Sequence, residues 1–87
     1  MKIVYHKKFE KQYSKLPEAL KDKTRLTIAT FVQDPHDKIL RNHALKGRMQ
    51  GLRAISVTGS VRIVLKEENS YTLVIFLSLG GHDRVYE

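Results

Sequence analysis

Two histidines and an arginine are the residues in this chain best equipped for chemistry. His43 and His82 sit in segments without a clear period, close to Gly47 and to Gly80-Gly81. Imidazole is the side chain best suited to take up and release protons near neutral pH. Loops held by a rigid scaffold are where such groups are usually placed. Arg62 interrupts an otherwise apolar run, Val61-Arg62-Ile63-Val64-Leu65. Its side chain must therefore reach solvent, a partner charge or a ligand, and a planar, permanently charged fork suits a phosphate. Each residue also has a plain structural reading. His82 would cap a strand end, His43 would only contact phosphate or pack, and Arg62 would be an outward residue of an alternating strand.

Charge points the same way. Sixteen Lys and Arg against nine Asp and Glu give a formal +7, an excess that attracts polyanions. Arg41, Lys46 and Arg48 flank His43, with Lys38 upstream and Arg53 beyond. These are expected to be phosphate contacts, although a solvated basic surface accounts for charge alone. No basic amphipathic helix has the aromatic face that lies in a bilayer interface. There is no cysteine, His6, His36, His43 and His82 lack paired metal-ligand spacing, and no glycine-rich phosphate loop occurs. Neither a metal nor a small-molecule cofactor is expected. The first residues lack an apolar leader and no run is long enough to span a membrane, so a soluble cytoplasmic protein is expected.

The elements that must position these groups follow from periodicity. At 87 residues the chain has room for one domain, 1–87. Residues 2–5 are β-prone. Phe9, Tyr13 and Leu16 recur with helical spacing, and Pro17 ends that helix and opens a second. The second helix runs to about Gln33, with Leu20, Ile28, Phe31 and Val32 toward a core, and Asp34-Pro35 closes it. Tyr5, Phe9, Tyr13 and Phe31 read as core aromatics. An irregular basic stretch, 35–51, precedes strand-like runs at 53–58, 61–66 and 71–79, with Gly59-Ser60 as a two-residue hairpin turn. The last run is nearly all apolar, as for a central strand buried on both faces. The order β-α-α-β-β-β predicts an α+β fold, an antiparallel sheet packed against a helical hairpin.

Three segments carry a resemblance to a known family. Asn42-His43-Ala44-Leu45-Lys46-Gly47 looks like the "DH-x-L-x-G" segment of YafQ-like toxins. Gly51-Leu52-Arg53-Ala54-Ile55 with Val61-Arg62-Ile63-Val64 resembles the strand pair found across the RelE superfamily. Leu79-Gly80-Gly81-His82-Asp83-Arg84-Val85-Tyr86 is similar to the terminal "G-T-H-D-x-V/L-Y/F" of the same branch. Each motif is weak alone, but in this order and spacing they cover almost the whole chain. Asn42 and Ser60 stand where acidic residues are common in the family, and Gly81 where threonine is.

The resemblance implies a RelE-like fold, cleavage of messenger RNA in the ribosomal A site, and neutralisation by a cognate antitoxin. Metal-independent cleavage needs the 2′-OH deprotonated, the phosphorane stabilised and the leaving 5′-oxygen protonated. On this reading His82 is the principal acid or base and His43 a second participant, with the roles open between them. Arg62 stabilises the phosphate, and Tyr86 stacks on a base, orients the nucleotide or donates to phosphate, or else only packs on the sheet. Asp83 would set the His82 tautomer, against the tendency of neighbouring strand residues to point apart. The alternatives are a ParE-like gyrase inhibitor, a non-catalytic nucleic-acid-binding module and a degenerate toxin that only binds antitoxin.

Overall fold

A computed structural model describes residues 1–81. Strand β1 (Lys2–Tyr5) leads into helix α1 (Lys7–Ser14), then α2 (Glu18–Gln33). His6 caps α1, its Nδ1 accepting the Lys8 amide at 3.0 Å. Pro17 precedes α2 as its N-cap, where the missing N–H costs nothing. A 3₁₀ turn (Lys38–Leu40), the two-residue strand β2 (His43–Ala44) and a second 3₁₀ turn (Gly47–Met49) follow. Strands β3 (Arg53–Ser56), β4 (Val61–Glu68) and β5 (Leu73–Gly81) complete the described chain.

The expected helical hairpin on a sheet is present, and the sheet holds five strands in the order β1-β5-β4-β3-β2. It is not wholly antiparallel: β1 pairs parallel with β5, Lys2 beside Leu73 and Tyr5 beside Phe76. Both helices cover one face, where Phe9 and Phe31 meet Ile55, Ile63, Leu65, Val74, Phe76 and Leu79. Phe31 and Phe76 lie edge to face with ring centroids 5.6 Å apart, a favourable aromatic geometry.

Several expectations need correction. Val32 is exposed, on the side of α2 turned from the sheet, and Tyr5 is 43% exposed although its ring meets Phe9 and Phe76. The β3–β4 connection is longer than a two-residue turn. The Val57 amide donates to the Val61 carbonyl at 2.8 Å, and the Val61 amide turns to Thr58 Oγ1 at 3.0 Å. Strand β5 is buried on one face and half-buried on the other. Its ladder with β4 slips between Val64–Ser78 and Leu65–Phe76, leaving Leu77 as the extra residue of a bulge. Beyond Phe76, β1 no longer flanks β5, and the Leu79 amide instead donates to Gln12 Oε1 on α1 at 2.7 Å. That bond meets the demand of a backbone donor buried away from water.

Candidate nucleic-acid interface

Residues paired across a ladder share a face of the sheet. His43 pairs with Ala54, Ala54 with Val64, and Val64 with Ser78. That row lies on the face opposite the helices. The next row on the same face holds Ser56, Arg62 and Gly80. His43 and Arg62 are therefore co-facial, two strands apart, or about 10 Å across the sheet and one pleat along it. His43 lies on β2 itself, not in an irregular loop, and β2 is an edge strand, which leaves its imidazole exposed.

Hydrogen bonds orient both groups. His43 Nδ1 lies 2.8 Å from the Arg41 carbonyl. A carbonyl can only accept, so Nδ1 donates to it, which leaves Nε2 as the nitrogen that faces away from this bond. Arg41 adopts the left-handed backbone (φ 51°), which turns its carbonyl to this task. The Arg62 guanidinium donates through Nη1 to the carbonyls of Thr58 at 2.8 Å and Gly59 at 3.3 Å. Among the described residues Nη2 and Nε make no hydrogen bond, and both can donate to a ligand. Arg41, Lys46 and Arg48 are all exposed around His43, a cationic rim at the β2 side of the face.

Arg53 stands apart from this rim. It pairs with Leu65 on the helix-side face, and its Nε donates to Asn42 Oδ1 at 2.7 Å. Asn42 in turn donates through Nδ2 to the Pro35 carbonyl at 2.9 Å and to the Tyr71 hydroxyl at 3.0 Å. A carboxylate at this position would accept from Arg53 but could not donate to Pro35, so the amide fits this network as an acid would not. Tyr71 closes a turn in which Asn69, Ser70 and Tyr71 all have positive φ. The strain is held by the Tyr71 amide on Glu67 Oε1 at 2.8 Å and by ring contacts with Phe31 and His36. The network fixes the backbone on one side of His43.

A shallow cleft of about 190 Å³ opens on the same face as His43, lined by His6, Lys8, Met49, Leu52, Val64, Leu77 and Ser78. His6 and Lys8 were not singled out as site residues from sequence. No local signal marks them, because their place on this face follows from the parallel pairing of β1 with β5. His82, Asp83 and Tyr86 lie outside the described residues, and β5 is described to Gly81, beside Val61. Among the described residues no three His, Asp or Glu side chains gather as a metal site would require, and no helix is long and apolar enough to cross a membrane.

A five-stranded sheet backed by a helical hairpin matches the RelE/YafQ-like type II toxin fold. YafQ from E. coli superposes with a TM-score of 0.82 at 17% identity, over 98% of this chain and 97% of that one. A YoeB/ParE toxin from Agrobacterium tumefaciens gives 0.78 at 20% identity, over 94% and 99%. The E. coli DinJ–YafQ toxin–antitoxin complex gives 0.76 at 18% identity, over 98% and 96%. No family model matches the sequence, and no curated protein matches it.

Proposed function

We propose that this protein is the toxin of a type II toxin–antitoxin pair, a ribosome-dependent endoribonuclease that cleaves messenger RNA in the A site of cytoplasmic ribosomes. The observation that carries the reading is the co-facial placement of His43 and Arg62 within a cationic rim, on a fold shared with YafQ. The imidazole of His43, its Nδ1 committed, takes or relays a proton through Nε2, while Arg62 receives the phosphorane charge. His82 is the second acid–base group and Tyr86 the base-stacking or phosphate contact, both assigned through the resemblance. Arg41, Lys46 and Arg48 hold the message by its phosphates, and Arg53 contributes through Asn42. No metal is required by this chemistry. A cognate antitoxin completes the system, as DinJ does for YafQ in the complex described above.

Induced expression in a bacterium, followed by growth and by mapping of message ends, tests the reading. Wild type is expected to arrest growth with A-site cuts. His82→Ala and His43→Asn are expected to lose cleavage by about 10²–10⁴-fold. Asparagine at 43 keeps a donor for the Arg41 carbonyl and removes only the second nitrogen. Arrest with intact messages would overturn the nuclease and favour gyrase inhibition. Arrest that survives both substitutions would leave a binding module.

A further inference from the structure

The cleft on the open face lies between the start of α1 and the second 3₁₀ turn, with buried Val64 at its base. Leu77 and Ser78 are consecutive, yet both line it, because the bulge in β5 sets two successive residues on one face. Its walls are apolar, with Met49, Leu52 and Leu77 half-buried. Two exposed residues, His6 and Lys8, stand at its rim. His6 Nδ1 accepts the Lys8 amide at 3.0 Å, so that nitrogen carries no proton and the ring is the Nε2–H tautomer. Nε2 is therefore a donor, and the Lys8 ammonium is another. Among the described residues neither makes a hydrogen bond or an ion pair, and no carboxylate lines the cleft.

An apolar slot edged by two donors fits a flat ring that carries acceptors. A lone phosphate would meet the donors and leave the apolar walls in water. At about 190 Å³ the cleft is smaller than the roughly 300–1,000 Å³ of pockets for drug-sized ligands, which suits a single base. We propose that it is a base subsite that selects the oxo bases guanine and uracil over the amino bases adenine and cytosine, at a nucleotide flanking the cut. The ring packs against Met49, Leu52 and Leu77, while His6 Nε2 and Lys8 Nζ donate to its edge. Guanine offers O6 and N7, and uracil O4, all of them acceptors. Adenine and cytosine set an exocyclic amine at the corresponding position, where donor meets donor and one is left unpaired. Val64 ties the cleft to the candidate site, because it shares a row with Ala54 and His43. His43 is thus two strands, or about 10 Å, from the base of the cleft, within reach of a nucleotide whose phosphate lies against His43 and Arg62. The subsite rests on the nuclease reading for its place beside the cut, whereas base binding itself does not.

The test titrates the methyl-labelled full chain with GMP, AMP, UMP and CMP, the 5′-monophosphates, which hold no bond for a nuclease to cut. Methyl shifts are expected at Met49, Leu52 and Leu77, with GMP bound about tenfold more tightly than AMP and UMP about tenfold more tightly than CMP. His6→Ser keeps a residue that can cap α1 and removes the ring donor, and Lys8→Met keeps the stem and removes the ammonium. Each variant should erase most of both preferences while its spectrum stays that of a folded chain. In mapped messages, the bases flanking wild-type cuts should be biased toward guanine and uracil, and His6→Ser should relax that bias. Affinities that follow ring size alone, with GMP equal to AMP, would overturn the proposal in favour of unselective stacking. So would preferences that survive both variants, or methyl shifts that inorganic phosphate alone reproduces. If the oxo bases are preferred as described but no message is cut, the subsite stands and the nuclease reading falls.

Discussion

Asn42 makes three hydrogen bonds, and each ends on a different part of the chain: the loop after α2, the turn before β5 and strand β3. The Tyr71 hydroxyl is the acceptor whose loss is easiest to isolate, because Tyr71→Phe keeps the ring against Phe31 and His36. Removing it leaves one Nδ2 proton of a half-buried amide unpaired, at a cost of about 1 kcal/mol. Thermal unfolding followed by circular dichroism should show the midpoint fall by roughly 4–8 °C. An unchanged midpoint would mean the Asn42 network does not hold this loop. Arg53 shows what the sequence already contained at this scale. In Arg53-Ala54-Ile55-Ser56-Val57, alternation puts Arg53 on the side of Ile55 and Val57, the core face. Basic composition drew attention to its charge and away from its parity.

Among the elements, α2 shows most plainly what holds the fold together. Phe31 is fully buried and meets both Phe76 of β5 and the ring of Tyr71. Phe31→Ala should cost about 3–5 kcal/mol, a large share of the roughly 5–15 kcal/mol that holds a domain of this kind folded. Urea denaturation would show the midpoint drop steeply, and a loss below about 1 kcal/mol would place the core elsewhere. Helices and strands were legible because their polar and apolar residues alternate with a definite period. The bulge at Leu77 was not, because in Tyr71-Thr72-Leu73-Val74-Ile75-Phe76-Leu77 almost every residue is apolar and a slip of one leaves no trace in hydrophobicity. Strand β2 was hidden for a different reason. Two residues make no period, and only the pairing of His43 with Ala54 reveals them as a strand.

For the molecule as a whole, the cationic rim should govern how tightly any single-stranded RNA is held. Each phosphate neutralised on a single strand contributes about −0.7 to the slope of log affinity against log salt. Lys46→Ala and Arg48→Ala should each flatten that slope by about this amount in anisotropy titrations with a short RNA. Lys21→Ala, on α2 at the other side of the sheet and beside Glu18, should leave it unchanged. A slope that responds equally to all three would mean the charge acts diffusely and not through a defined face. The α+β class and the helical hairpin could be read from sequence, since both rest on local pattern. The parallel pairing of β1 could not, because it joins Lys2 to Leu73 across nearly the whole described chain.

That pairing has a consequence for how the protein comes into being. A chain made from its amino terminus presents β1 and both helices long before β5 exists, and β5 supplies the surface on which they pack. Until Leu73 onward has been synthesised, the hairpin can collapse only on itself, and the sheet that carries His43 and Arg62 lacks its inner strand. Contacts of such long sequence separation form slowly, after the loop between them has been closed. The order of translation therefore sets a delay, and the face that carries His43 and Arg62 is assembled only once β5 has been made.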